Sequence, residues 1–174
     1  MSKALNLYRN GFYAMGTRFY VLIPDLEDGA GDEVYQKIKD EVNRIESRLS
    51  RFIKESEISK INREAFQVDV ETDDECFEIL SACKYGWKMT DGAFDITLRP
   101  LMDYWKDEKN QSEENLASLV ESVGMHHVEL NEDDQTVRFK NELIELDLGG
   151  FGKGYALEKV KQMIESSAVE NAFI

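Results

Sequence analysis

Histidine and cysteine are scarce in this chain of 174 residues, with two of each. Cys76 and Cys83 sit in a helical pattern, seven positions apart, where they share a face but lie about 10 Å from each other. A disulfide needs closer approach. Both therefore read as buried thiols, which suits a reducing compartment. His126 and His127 are adjacent, so in a strand they would point to opposite faces, which argues against a shared metal. No spacing of zinc-ligand type is present, and no Ser/His/Asp or Cys/His arrangement gives a nucleophile its partner. On this basis no catalytic residue is assigned.

Long apolar runs are missing too. None approaches the roughly 20 residues of a membrane span, and the N-terminus has neither the apolar core of a signal peptide nor a lipobox. As given, the chain reads as cytoplasmic, with no transmembrane segment. Internal repeats and low-complexity linkers are absent. So are basic runs: 35 acidic residues against 21 basic ones give a formal net charge of -14. That field repels nucleic acid and anionic membranes. A small anionic cofactor is still admissible, because backbone amides, a lysine or a bound cation can reverse the field locally.

Hydrophobic residues make up 42% of the chain, enough for a packed core. The length suits one domain, or two small subdomains sharing a core. Residues 11–23 are aromatic and β-branched and predict one or two strands bent at Gly16. Pro24 to Gly31 reads as a turn. Val34, Ile38, Val42, Ile45, Leu49 and Phe52 then form one helical stripe, with Lys37, Lys39, Asp40, Glu41, Arg44 and Glu46 on the solvated face. Residues 56–61 suit a short helical turn. Thr72-Asp73-Asp74-Glu75 has the capping-box pattern and opens a helix that ends near Asp91-Gly92. Arg99 to Trp105 predicts a short helix with Pro100 in its first turn, and Ser112 caps another. Residues 128–130 and 136–139 make a hairpin, Leu143 to Leu148 a further strand, and a last helix runs to about Ser166. Residues 169–174 look like the start of a buried strand, which suggests a chain completed by further polypeptide or by a second copy. This mixture predicts an α+β fold: a mixed, mainly antiparallel sheet packed with helices, and apparently incomplete.

Gly149-Gly150-Phe151-Gly152-Lys153-Gly154 falls between the predicted strand and helix. Glycines let backbone amides turn toward one point, the helix N-terminus adds partial positive charge, and Lys153 adds a full one. Two readings are open: a diphosphate cradle, or a tight strand-to-helix turn without a ligand. The P-loop and dinucleotide-fold spacings both fail. Asp91-Gly92-Ala93-Phe94-Asp95 reads locally as a turn with a capping carboxylate. Trp105 is either a core residue or a wall for a flat ligand. Met15 and Phe52 are core residues by default.

Four segments, taken in order, resemble the ApbE family of FAD:protein FMN transferases. They are Ala14-Met15-Gly16-Thr17; Leu49-Ser50-Arg51-Phe52 running into residues 56–62; Gly92-Ala93-Phe94-Asp95-Ile96-Thr97 with Pro100-Leu101 and Trp105; and Asp147 to Ala156. The resemblance implies Mg2+-dependent transfer of FMN from FAD to a Thr or Ser hydroxyl of an acceptor flavoprotein, with release of AMP. Alternatives are a non-catalytic FAD- or nucleotide-binding module and an FAD pyrophosphatase. By motif, Met15, Phe52, Ala93, Phe94, Asp95, Lys153 and Lys159 would contact FAD, and the Ala156 carbonyl would be a Mg2+ ligand. Phe52 stands where the family usually has Tyr, and Glu158 where it usually has Asp. The family runs to about twice this length, its second half supplies the remaining Mg2+ ligands, and its members are often exported. A homodimer is one way in which this shorter chain could complete the site.

Overall fold

The computed structural model describes residues 6–106, 112–167 and 169–174. They form two compact units, the first drawn from residues 1–47 and 151–174, the second from 48–150.

In the first unit, β1 (Leu7–Ala14) and β2 (Thr17–Pro24) pair antiparallel along their whole length, from Leu7 opposite Pro24 to Ala14 opposite Thr17. The bend expected at Gly16 is a two-residue turn. Met15 and Gly16 both have positive φ, 50° and 70°, as a hairpin turn matched to strand twist requires. One face of the ribbon buries Tyr8, Phe12, Phe19, Val21 and Ile23. Phe12 stacks on Phe19 at 5.2 Å, and Tyr35 of α1 (Asp28–Leu49) meets Phe12 edge-on at 5.9 Å.

Helix α1 starts earlier than the turn expected through Gly31. Gly31 lies inside it because the helix passes directly over Tyr8: a Cβ there would sit 2.2 Å from the ring. The Tyr8 hydroxyl donates to Asp32 at 2.7 Å, and the Tyr35 hydroxyl donates to the Gly11 carbonyl at 3.1 Å. The predicted stripe holds from Ile38 to Leu49, but the helix stops at Leu49. Phe52 lies beyond it and is exposed, so it is not a core residue. The remaining element is α6 (Gly152–Glu165), which buries Ala156 and Val160. The expected C-terminal strand is reduced to one antiparallel bridge, Phe173 to Leu22 on β2. Phe173 itself is 66% exposed.

The second unit contains α2 (Glu57–Glu64), β3 (Val70–Glu71), α3 (Asp74–Met89), α4 (Arg99–Lys106), α5 (Glu113–Ser122), β4 (Val128–Asn131) and β5 (Thr136–Phe139). Its sheet has the order β3-β5-β4 and is antiparallel throughout. The architecture is α+β, as expected, with two small sheets. Ser112 caps α5 by accepting from the Asn115 amide. The cap of α3 is Asp73 rather than Thr72: its carboxylate takes the Cys76 amide at 2.9 Å, while the Thr72 hydroxyl donates to the Gln135 carbonyl. Glu75 is then left to meet Arg48, whose guanidinium also binds Glu57 and Asp73. Both thiols are buried and reduced. Burial pushes Cys83 up to about 12, and burial together with Glu57 pushes Cys76 up.

Two expectations fail in the second unit. His126 and His127 occupy a 3-10 turn rather than a strand, with their rings 4.0 Å apart. Residues 143–148 make no strand ladder. Ile144, Leu146 and Leu148 do alternate into the core, but Glu145 has only a bridge to Leu98. The Asn62 side chain replaces a neighbouring strand, accepting from the Leu146 amide at 2.8 Å and donating to its carbonyl at 3.0 Å.

The two glycines near the start of α1 give opposite expectations. Gly29→Ala meets open space and should stabilise the protein by up to about 1 kcal/mol. Gly31→Ala should destabilise it by about 1–3 kcal/mol, because overpacking against Tyr8 outweighs the helix preference. Thermal melting of the two variants checks the signs.

Candidate functional site

The glycine-rich segment does not remain a loop. α6 takes in Gly152, Lys153 and Gly154 as its first turn, so Lys153 rides on a helix N-terminus. Phe151 precedes the helix and supplies no side-chain cap. The positive end of the α6 dipole lies here, and such a helix start suits an anion. Gly152 is buried, and the Met15 methyl lies 4.0 Å from where its Cβ would be. The β1–β2 turn thus brings Met15 to the start of α6. The Met15 amide donates to the Glu46 carboxylate at 2.8 Å, which helps to hold a methionine in the left-handed region. Glu46 is accordingly not the solvated residue expected. One turn further on, the Lys159 ammonium lies 5.2 Å over the Tyr155 ring. Ala156 is fully buried, backbone carbonyl included, so its oxygen could meet, through the lone pair that the helix leaves over, only a ligand buried with it.

In the second unit, residues 50–59 form a braced turn. The Ser56 hydroxyl donates to the Ser50 carbonyl at 2.7 Å and accepts from the Ser59 amide, and the Ser59 hydroxyl donates to the Arg51 carbonyl at 3.0 Å. This bracing presents Phe52 outward, 80% exposed, with the Arg51 guanidinium 3.9 Å from its ring centre. Arg51 Nε donates to Asp147 Oδ2 at 2.8 Å, and Asp147 Oδ1 accepts the Gly149 amide at 2.8 Å. Arg51, Phe52, Lys54, Asn62, Arg63 and Leu143 line an open groove of about 650 Å³.

The 93–95 segment follows α3. Its entry is shaped by Asp91 and Gly92, both at positive φ, and by the Thr90 hydroxyl, which accepts the Phe94 amide at 2.9 Å. Ala93 is exposed and Phe94 half-buried, the latter against Gly86, where a Cβ would meet the ring at 3.1 Å. Asp95 does more than cap a turn. Its Oδ1 accepts both the amide and the hydroxyl of buried Thr97, and Thr97 Oγ1 in turn accepts the Gly124 amide at 2.6 Å. Beside this relay, burial and the neighbouring His127 hold the His126 imidazole below its usual range, against the pull of Asp95. Trp105 is exposed, so it is not a core residue.

A family model, that of the ApbE family, matches residues 15–174. The chain belongs to the ApbE family. The FAD:protein FMN transferase of Haemophilus influenzae is 24% identical over 173 residues, covering 92% of this chain and 49% of that protein. The protein of the same name from Chlamydia trachomatis is 29% identical over 134 residues, covering 72% and 42%. The crystal structure of the ApbE protein from Thermotoga maritima superposes with a TM-score of 0.82 at 27% identity, over 96% of this chain and 55% of that one. This ApbE-family chain thus spans about half the length of the curated relatives it matches. Among the described residues no helix is long and apolar enough to cross a membrane.

Sequence reasoning passed over Arg51, Asp147, Thr97 and the serines at 50, 56 and 59 as working parts. The serine spacing and the Asp-x-Thr and Asp-x-Gly triplets were the available signal, since such side chains bond backbone two or three residues on. For Mg2+, no three His, Cys, Asp or Glu side chains among the described residues converge on one point. The Ala156 carbonyl alone fits only an ion that keeps its waters and leans on substrate phosphates.

Thr97→Val would strip the acceptor from the buried Gly124 amide, and should cost about 1–3 kcal/mol, read as a lower urea midpoint. Asp95→Asn keeps an oxygen for Thr97 and should be milder than Asp95→Ala. Equal losses from the two Asp95 variants would mean that its charge matters rather than its acceptor geometry.

Proposed function

We propose that this chain takes part in Mg2+-dependent transfer of FMN from FAD to a Thr or Ser hydroxyl of an acceptor flavoprotein, with release of AMP. The observation that carries the reading is the start of α6. A helix that opens on Gly152-Lys153-Gly154, in a chain of the ApbE family, sets its positive dipole end and a lysine where they suit a diphosphate. The names of its relatives supply the reaction: FAD in, FMN delivered to protein.

In this reading the hydroxyl oxygen of the acceptor attacks the phosphorus on the flavin side. The bond from that phosphorus to the bridging oxygen breaks, AMP leaves, and the hydroxyl proton passes to a base or to water. Charge gathers on the bridging and non-bridging oxygens, and donors fixed in advance are what lower such a barrier. Lys153 and the first amides of α6 are the donors assigned to that task. Met15 and Phe52 offer apolar contact to the flavin ring system, with Ala93, Phe94 and Asp95 completing the assigned contacts and Lys159 adding positive charge. Mg2+ would supply further charge neutralisation at the diphosphate, with the Ala156 carbonyl as one ligand.

A second reading is an FAD-binding module without turnover, in which no three ligating side chains among the described residues gather for a metal. Fluorescence titration of the chain with FAD, with Mg2+ and then with EDTA, tests both. Saturable binding with AMP release and flavin bound covalently to an acceptor is expected for the transferase. Binding without AMP leaves the module, and no binding by a folded sample removes both. Lys153→Ala should weaken FAD binding about tenfold, the usual scale for one charge-assisted contact.

A further inference from the structure

We infer that Arg51 is a positioning residue. It couples the Phe52 ring to the first amide of the glycine-rich segment, so that the second unit offers both to FAD in one fixed arrangement. The inference rests on the reading of Phe52 and that segment as FAD contacts.

Four observations within the second unit support it. The Arg51 side chain is only 13% exposed, although Phe52 beside it is almost fully open to solvent. Its guanidinium lies 3.9 Å from the Phe52 ring centre, close enough to hold the ring by cation–π attraction. Nε of the same group is committed to Asp147 Oδ2 at 2.8 Å, with Glu145 a further ion-pair partner at 3.7 Å. Finally, Asp147 uses its other oxygen to hold the Gly149 amide, and its own amide donates to the Ile96 carbonyl at 2.8 Å. A Cβ on Gly149 would stand 3.0 Å from that Asp147 oxygen, so a larger residue would have to push the carboxylate aside by a few tenths of an ångström.

The backbone of Arg51 is fixed independently of its side chain. Ser59 holds its carbonyl and Ser56 holds that of Ser50. An exposed phenylalanine on a rigid turn would ordinarily sample several rotamers, and immobilising it on binding costs conformational entropy. Held by Arg51, the ring has part of that freedom removed before the ligand arrives. Asp147 carries the restraint across to Gly149. A lysine cannot make both contacts, because it lacks the planar fork that binds a carboxylate while stacking on a ring.

The test uses the 174-residue chain and the variants Arg51→Ala, Arg51→Lys, Asp147→Asn and Phe52→Ala. In the ligand-free protein, Arg51→Ala should shift the Phe52 ring resonances and speed exchange of the Gly149 amide proton, with the melting profile otherwise that of a folded chain. Asp147→Asn keeps an acceptor for Gly149 but loses its charge, so it should release the Phe52 ring. It stands in if Arg51→Ala does not fold. With FAD as the probe, Arg51→Ala and Phe52→Ala should each weaken binding about tenfold, and the double variant little more than either alone, because both break one unit. Arg51→Lys should not restore affinity. Unchanged ring and amide signals, additive losses, or full rescue by lysine would each overturn the inference. A parent chain that binds no FAD would overturn the functional reading instead, and with it this use of Arg51, while the ligand-free signals still decide whether the linkage exists.

Discussion

Buried backbone groups that no strand ladder can satisfy govern how the second unit is built. Its sheet is small, and its longest connecting stretches pass through the core without regular partners. Short polar side chains stand in for the missing ladder. Asn62 clasps both backbone groups of Leu146, and Asp95 and Thr97 together hold Gly124. A buried backbone group left without a partner costs about as much as a lost hydrogen bond, so each of these side chains is fixed by structural need before any ligand is considered. All three also lie in the segments that carry the family resemblance, as does Asp147, which holds the exposed Gly149 amide. Asp95 and the turn that carries Phe52 are thus set by side chain to backbone bonds, whereas Lys153 and Lys159 are positioned by α6.

Electrostatics follow the same division of labour. The chain is strongly acidic, yet two of its half-buried arginines are surrounded by carboxylates: Arg48 by Glu57, Asp73 and Glu75, and Arg51 by Asp147 and Glu145. These cations organise the protein and are spent on it. The start of α6 is a separate, local source of positive charge, through the end of the helix dipole.

Much of the fold was legible because it is periodic. The α1 stripe from Ile38 to Leu49, the hairpin of β4 and β5, the Ser112 cap and the α4 span all follow from spacing and from capping chemistry. The failures share a cause, which is that a tertiary partner changed the local rule. Gly31 was read as turn because glycine disfavours helix, yet the helix needs it to clear Tyr8. Leu143 to Leu148 has the alternation of a strand and the burial of one, but its partner is a side chain, which no pattern in that segment records. Thr72 lost the cap of α3 to its neighbour because Gln135 offered its hydroxyl another acceptor. For the candidate site, the motif residues were visible in the sequence, whereas the groups that hold them were not. Arg51 and Asp147 are far apart in the chain, and only folding shows that they share one hydrogen bond.

The bridge between Leu22 and Phe173 joins positions from opposite ends of the sequence, whereas the β1–β2 ribbon beside it closes through a two-residue turn. Local hairpins form within about 1–10 μs, and contacts between distant positions must first meet the entropy of closing a long loop. The ribbon can therefore exist early, as a template waiting for its third strand. The Phe173 bridge should be the last part of the first unit to form and the first to open, so amide exchange there reports local fraying rather than global unfolding.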